Sequence, residues 1–169
     1  EKNGFFLFKN FFNKKLVLKA RQWMLKQQPK KILKTWTETE PAVKIAVYSV
    51  LGESKTPVNS LANNKKMLKA ASDLIGDEVY VWHSKINFKK AWGGTVEYFH
   101  QDRVYWQDRG YPSDKMLSCM ILMDDHDISN AGLQVIPKTH KMGFIEHQNF
   151  ININGLAKFM IPPKVLTKL

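Results

Sequence analysis

Cysteine occurs once in these 169 residues, at Cys119. That excludes an internal disulfide and any cysteine-rich zinc or iron–sulfur site, and it makes a reducing cytoplasm the expected location. Long apolar runs are missing too. None approaches the roughly 20 residues that cross a bilayer, so no membrane span is expected. The opening Phe5-Phe6-Leu7-Phe8 is interrupted by Lys9, Asn10 and Asn13 and does not read as a signal-peptide core. Acidic residues are scarce in the first half: residues 1–90 hold 18 Lys and Arg against 7 Asp and Glu. Residues 91–169 hold 8 of each, so the whole net charge of +11 lies in the first half. Such an excess suits nucleic acid, an anionic membrane or an acidic substrate. It equally suits solvated, lysine-rich helix faces. The lysines are scattered and the nearby aromatics follow core spacing rather than a stacking platform, which favours the second reading; no nucleic-acid partner is expected.

What is present is enough for one globular domain. Hydrophobic residues make up 44% and aromatics 12%, which excludes a disordered chain. Residues 4–12 read as a short apolar strand leading into a helix. From Lys14 onward Leu16, Ala20, Trp23 and Met24 recur at helical spacing, until Pro29 ends or kinks the run. Residues 43–51 are β-branched and apolar, and Gly52 to Ser60, with Pro57, reads as a loop. A second helix is better marked: Asn63 or Asn64 can cap it, Met67, Leu68, Ala71, Leu74 and Ile75 form its stripe, and Gly76 stops it. After Gly76 the pattern turns to short strands: Glu78 to Trp82, Thr95 to Phe99, the apolar run Leu117 to Met123, and Leu133 to Ile136 before Pro137. Turns lie between them at Trp92-Gly93-Gly94, Gly110-Tyr111-Pro112 and Asp124 to Gly132. The run Leu117 to Met123 is expected to be buried on both faces, with Cys119 an inert thiol within it. The expected fold is mainly β with flanking α-helices: a β-sandwich or jelly roll.

The residues with chemistry to offer are His100 and Asp102, in Phe99-His100-Gln101-Asp102. On a strand, residues two apart point to one face, so an imidazole and a carboxylate would stand side by side and could share a metal ion. With a third ligand they would form the facial triad of a non-heme iron(II) oxygenase. Alone, His-x-Asp is a weak signal, and a surface His and Asp near a turn would read the same way. His126, among Asp124, Asp125 and Asp127, reads as a solvated turn rather than a metal loop.

The ordered series around the pair adds to this. His83-Ser84-Lys85-Ile86-Asn87-Phe88, Phe99-His100-Gln101-Asp102, Tyr105-Trp106, Gly110-Tyr111-Pro112, Leu117-Ser118, Met123-Asp124-Asp125 and the run Asn130 to Lys141 together resemble the phytanoyl-CoA dioxygenase family, in its ectoine-hydroxylase-like branch. The resemblance implies a double-stranded β-helix, iron(II), 2-oxoglutarate and O2. It implies oxidative decarboxylation of 2-oxoglutarate to succinate, coupled to hydroxylation of a small-molecule metabolite. By the same resemblance His100 and Asp102 match the first two iron ligands, and Asn87 and Ser118 match positions that contact 2-oxoglutarate. Trp106 and Lys85 match positions at the substrate pocket. His83 stands where ectoine hydroxylases carry a Gln that helps hold substrate, which points away from ectoine itself. Related halogenases replace the carboxylate ligand with a small residue, so Asp102 argues for hydroxylation.

The resemblance also implies a distal His, and an Arg that pairs bidentately with 2-oxoglutarate. After Lys141 the chain has His147 and no Arg, and His147 follows Pro137-Lys138-Thr139-His140-Lys141 too closely to be that His. The expectation is one dioxygenase domain over 1–169, with a helical and mixed part at 1–76 and a β-helix part at 77–169 that lacks its C-terminal strands. The alternative is a complete small relative that recruits His140 or His147. A non-catalytic β-barrel binding module and a basic nucleic-acid-binding domain stay open as other functions, and oligomerisation stays open as well. His140 is expected in a structural or supporting role. Lys138 and Thr139 stand where relatives carry Gly and Ser, so that turn is expected to differ.

Overall fold

The computed structural model describes residues 2–26, 47–49, 55–82, 84–87, 97–107, 110, 115–130, 132–151 and 157–169. Helix α1 spans Lys14–Lys26. Asn13 starts it: its side chain accepts from the Lys15 amide at 2.8 Å, and its carbonyl accepts from Leu16 at 3.0 Å. Helix α2 covers Pro57–Ala62, and its first four residues fall in the stretch expected to be a loop. Pro57 is a helix start here rather than a breaker. Its fixed φ suits the first helical position, and the Thr56 hydroxyl accepts from the Asn59 amide at 3.0 Å. Helix α3, Lys65–Ile75, follows the sequence expectation. Asn64 caps it through the Lys66 amide, and Gly76 closes it in the left-handed conformation at φ 76°.

The core forms where α1 and α2 meet. Ala20 is fully buried, and Leu61, Val58 and Ile86 close over it. Because Ala20 ends at Cβ, α2 can lie close against α1. Phe12, Leu16, Trp23, Met24, Ile121 and Met123 pack around this centre. Ile86 belongs to β2 (Lys85–Asn87), which pairs antiparallel with β1 (Val47–Ser49). A second antiparallel pair, β3 (Gln148–Ile151) and β4 (Ala157–Met160), sets Gln148 opposite Met160 and Phe150 opposite Lys158. Short helix α4, Pro163–Leu166, follows it. None of the described helices is long and apolar enough to cross a membrane.

Among the described residues helix outweighs strand, and the two sheets have two strands each. A mainly-β double-stranded β-helix is not outlined by them. Residues 4–12 form no strand. Asn10 breaks the extension at φ 54°, and Phe6, Phe8, Phe11 and Phe12 stack on one another at 4.6 to 5.0 Å. Glu78 to Trp82 is irregular, and strand pairing begins only at Lys85. Leu133 to Ile136 is irregular as well, with Leu133 and Val135 exposed. Leu117 to Met123 alternates but joins no ladder: Ile121 and Met123 face the core, while Leu117, Met120 and Leu122 are exposed. Cys119 is exposed rather than buried, although packing about its sulfur raises its pKa and keeps it a thiol. Among the described residues none of these segments pairs with another strand. The turn at Trp92-Gly93-Gly94 and residues 111–112 of the next loop lie outside the described residues.

The acidic stretch Asp124 to Gly132 satisfies itself as a turn. Asp127 accepts from the Ser129 amide and hydroxyl, and the Asn130 amide group donates to the Asp125 carbonyl. Asp124 pairs with Arg21 of α1 at 2.7 Å. The N-terminal segment docks beside Thr139–Lys141, a short 3-10 turn. There the Lys138 amide donates to the Asn3 carbonyl at 2.8 Å. Gly4, at φ 82°, leaves no room for a Cβ, which would overlap the His140 ring. This gives His140 the structural role expected of it. Lys138 itself sits at φ 70°, so the turn keeps the left-handed geometry that glycine suits although lysine occupies it. Lys138→Gly should therefore stabilise the protein by about 0.5–1 kcal/mol, the cost of a side chain in that conformation less the entropy cost of glycine. Gly4→Ala should destabilise it by about 1 kcal/mol or more. Thermal denaturation of the two variants should move in opposite directions, and a lower melting temperature for Lys138→Gly would count against the turn.

Candidate metal centre

His100 and Asp102 do not lie on a strand. His100 ends an irregular segment, Gln101 caps a 3-10 helix, and Asp102 is the first residue of that helix, Asp102–Tyr105. The tight turn brings the side chains together where strand alternation was expected to. The preceding segment is anchored by the Phe99 carbonyl, which accepts from the Ile161 amide just after β4 at 2.8 Å. Residues 95 and 96 lie outside the described residues, and 97–99 are not strand.

The hydrogen bonds define the chemistry of the pair. His100 Nδ1 lies 2.7 Å from the Tyr98 carbonyl. A carbonyl only accepts, so Nδ1 carries the proton. In the neutral ring Nε2 is then a lone pair, and it faces Asp102 Oδ1 at 3.3 Å. Two acceptors aimed at each other need a cation between them, a proton or a metal ion. The first expresses itself as a raised His100 pKa: the Asp102 carboxylate favours the imidazolium most, burial opposes it, and the Tyr98 carbonyl adds to the rise. The second fits the donor set. Two ligand atoms about 2.1 Å from one ion and at right angles are about 3.0 Å apart, close to the observed separation. Imidazole nitrogen with carboxylate oxygen suits a divalent first-row metal. A metal-ligating His commonly donates its other N–H to a carbonyl, as His100 does to Tyr98. Ser118 Oγ donates to Asp102 Oδ2 and so fixes the carboxylate.

The aromatic surroundings are tight. The Tyr105 ring stands edge-on to His100 at 5.6 Å and to Phe159 of β4 at 5.1 Å. Trp106 meets Trp82 edge-on at 4.7 Å. Burial above all raises the Tyr105 pKa, so its phenol stays neutral. Lys158, almost fully buried on β4, reaches Glu97 at 3.4 Å.

The other expected site residues are placed unevenly. Ser118 touches Asp102 directly, and Trp106 follows immediately on the 3-10 turn. Asn87 is exposed on β2, opposite Val47. Lys85 begins β2 opposite Ser49, and the role expected of its side chain lies outside what is described. His83 lies outside the described residues. His126 remains in its solvated turn, and no group of three His, Cys, Asp or Glu fit to hold a metal occurs among the described residues.

His147, which the sequence left as an alternative ligand, comes to the motif in another way. Its Nε2 accepts the Gln101 amide at 2.9 Å. That lone pair is used, so Nδ1 of the neutral ring holds the proton; Nδ1 is buried without a hydrogen-bond partner. Burial chiefly lowers the His147 pKa and keeps the ring neutral. His140 is exposed beside Gly4. Neither is recruited as the third ligand. Gln101, Tyr105, Phe159 and the β3–β4 hairpin were missed in the sequence. Asn154-Gly155 between apolar alternations was the available signal for the hairpin, whereas nothing in the spacing marks His147 as a partner of Gln101.

The family model for phytanoyl-CoA dioxygenase (PhyH) matches residues 1–154. The ectoine dioxygenase of Bordetella bronchiseptica is 29% identical over 145 residues, covering 83% of this chain and 47% of its own length. That of Streptomyces anulatus is 27% identical over 117 residues, 61% of this chain and 39% of its own. That of Sphingopyxis alaskensis is 33% identical over 90 residues, 52% and 29%. The chain spans about half the length of the first two curated relatives it matches. No solved structure matches it.

The raised His100 pKa carries a definite sign. The proton between Nε2 and Oδ1 is held to higher pH than in a free histidine, and a metal ion must displace it. Divalent metal binding should therefore release a proton and weaken as pH falls across the range in which His100 takes up its proton, which lies higher than for a free histidine. Calorimetry in two buffers of different ionisation enthalpy measures the proton count. An affinity flat across that range would exclude His100 as a ligand.

Proposed function

The chain belongs to the phytanoyl-CoA dioxygenase family, and from that premise we propose that it forms the metal-binding part of an iron(II)- and 2-oxoglutarate-dependent oxygenase that hydroxylates a small-molecule metabolite. The observation that carries this is the convergence of His100 Nε2 and Asp102 Oδ1 at 3.3 Å, each oriented by a second hydrogen bond. In this reading His100 and Asp102 hold iron(II). With 2-oxoglutarate and O2, the iron supplies the oxidising chemistry that converts the keto acid to succinate and CO2. Tyr98 and Ser118 orient the two ligands. Trp82, Tyr105, Trp106 and Phe159 supply an apolar wall beside the pair. Trp106, Lys85 and His83 are the residues we assign to the substrate pocket, and Asn87 and Ser118 to 2-oxoglutarate.

The family's jelly-roll architecture leads us to read the chain as one domain, helical over 1–76 and part of a double-stranded β-helix over 77–169, acting in the cytoplasm. The ectoine dioxygenases among the relatives suggest a small polar substrate. His83, in place of a substrate-holding Gln, argues for a compound other than ectoine.

The test is anaerobic loading with iron(II) and 2-oxoglutarate, then succinate formation on admitting O2. A metal-to-ligand charge-transfer band should form, and His100→Ala and Asp102→Ala should each lower both metal affinity and succinate yield by more than about 100-fold, beyond the usual effect of a supporting residue. A protein that binds 2-oxoglutarate without the band, or whose His100→Ala variant keeps it, would sink the assignment.

A further inference from the structure

We propose that Gln101 and His147 act as a positioning clamp: the loop Gly143–His147 holds the residue between the two metal ligands and so sets the distance and angle at which His100 and Asp102 meet. The inference rests on the metal reading above and extends it to two residues that are not themselves ligands.

Every polar group of Gln101 is engaged. Its backbone amide donates to His147 Nε2 at 2.9 Å. Its side-chain nitrogen donates to the Gly143 carbonyl at 2.9 Å, and its side-chain oxygen accepts from the Ile145 amide at 2.8 Å. Its own carbonyl accepts from the Val104 amide at 3.0 Å and starts the 3-10 turn. Three of these four bonds reach one five-residue loop that is distant in sequence. Two residues on, Arg103 reaches the same loop, its guanidinium lying over the Phe144 ring at 5.6 Å. Phe144 in turn contacts the His147 ring at 5.4 Å. Gly143, at φ 70°, gives the loop its bend.

The geometry has a mechanical consequence. Two residues separated by a single Gln in a short turn can open or close by small backbone rotations. Pinning that Gln at its amide and at both ends of its side chain removes those rotations. Tyr98 and Ser118 orient the rings and oxygens of the ligands, but neither holds the backbone between them. His147 suits the task because its neutral ring offers one acceptor and is already partly buried.

A titration of the full chain with Co(II), read by visible absorption, tests this alongside NMR amide exchange at Gln101. The unsubstituted protein should bind one Co(II) and protect the Gln101 amide. His147→Ala should speed exchange at Gln101, weaken Co(II) binding about 10- to 100-fold, and shift the ligand-field bands. His147→Gln, whose side-chain oxygen can accept the same amide, should restore all three. Gln101→Leu keeps the backbone bond and loses the side-chain pair, so it should fall between; if His147→Ala does not fold, this variant carries the test with the same readouts. A folded variant that binds Co(II) with unchanged affinity and spectrum overturns the clamp and leaves the metal reading standing. Failure of the unsubstituted protein to bind Co(II) overturns the metal reading and the clamp with it.

Discussion

Two lone pairs face each other across 3.3 Å, on His100 Nε2 and Asp102 Oδ1. Two acceptors at this separation repel unless a proton or a metal ion lies between them. Here the Tyr98 carbonyl takes the imidazole proton on the far side and Ser118 takes the other carboxylate oxygen. The two inner atoms share a need for positive charge between them, a proton or a metal ion. Much of the surrounding structure keeps that need from being relieved by movement. Tyr105 walls off one side of the imidazole, Phe159 backs Tyr105 from β4, and the Phe99–Ile161 bond ties the segment to the hairpin's exit.

The parts of this legible in the sequence were those encoded locally. Helix α3 could be read because Asn64 and Gly76 state its ends by their own side-chain and backbone chemistry. Helix α1 could be read from its apolar stripe. The His-x-Asp pair was found through its neighbours, but the reason given for its geometry, alternation on a strand, was the wrong local structure. A 3-10 turn also brings residues two apart together, and no pattern in a four-residue window separates the two. Pro57 suggests a loop from sequence because proline ends helices far more visibly than it begins them. Thr56 immediately before it was the decisive residue.

What was not legible depended on partners distant in sequence. Leu117 to Met123 has the composition of a buried strand, and Ile121 and Met123 do face the core, while Leu117 and Cys119 are exposed. Whether such a segment joins a ladder is decided by an edge elsewhere, which its own residues do not specify. His147 is the sharper example. The sequence places it too close to the Pro137–Lys141 segment to be the distal ligand and leaves it as a ligand only in the alternative of a complete small relative. The structure gives it a third position, bonded to the backbone between the ligands. Only the three-dimensional course of the chain could show that.

The same logic connects the chain's beginning to its site. Asn3 bonds Lys138, and Gly4 fits against His140. These contacts fix the turn that leads directly into Gly143, the first residue of the loop that grips Gln101. Lys138 holds a left-handed conformation that lysine tolerates poorly, and it does so where its amide meets the N-terminal segment. The strain is therefore local to the junction that aims the loop. A segment that carries no reactive group thus bears on the metal pair through two turns. Changes near residue 4 would then be felt at His100 through the orientation of the 143–147 loop, with every ligand atom still in place.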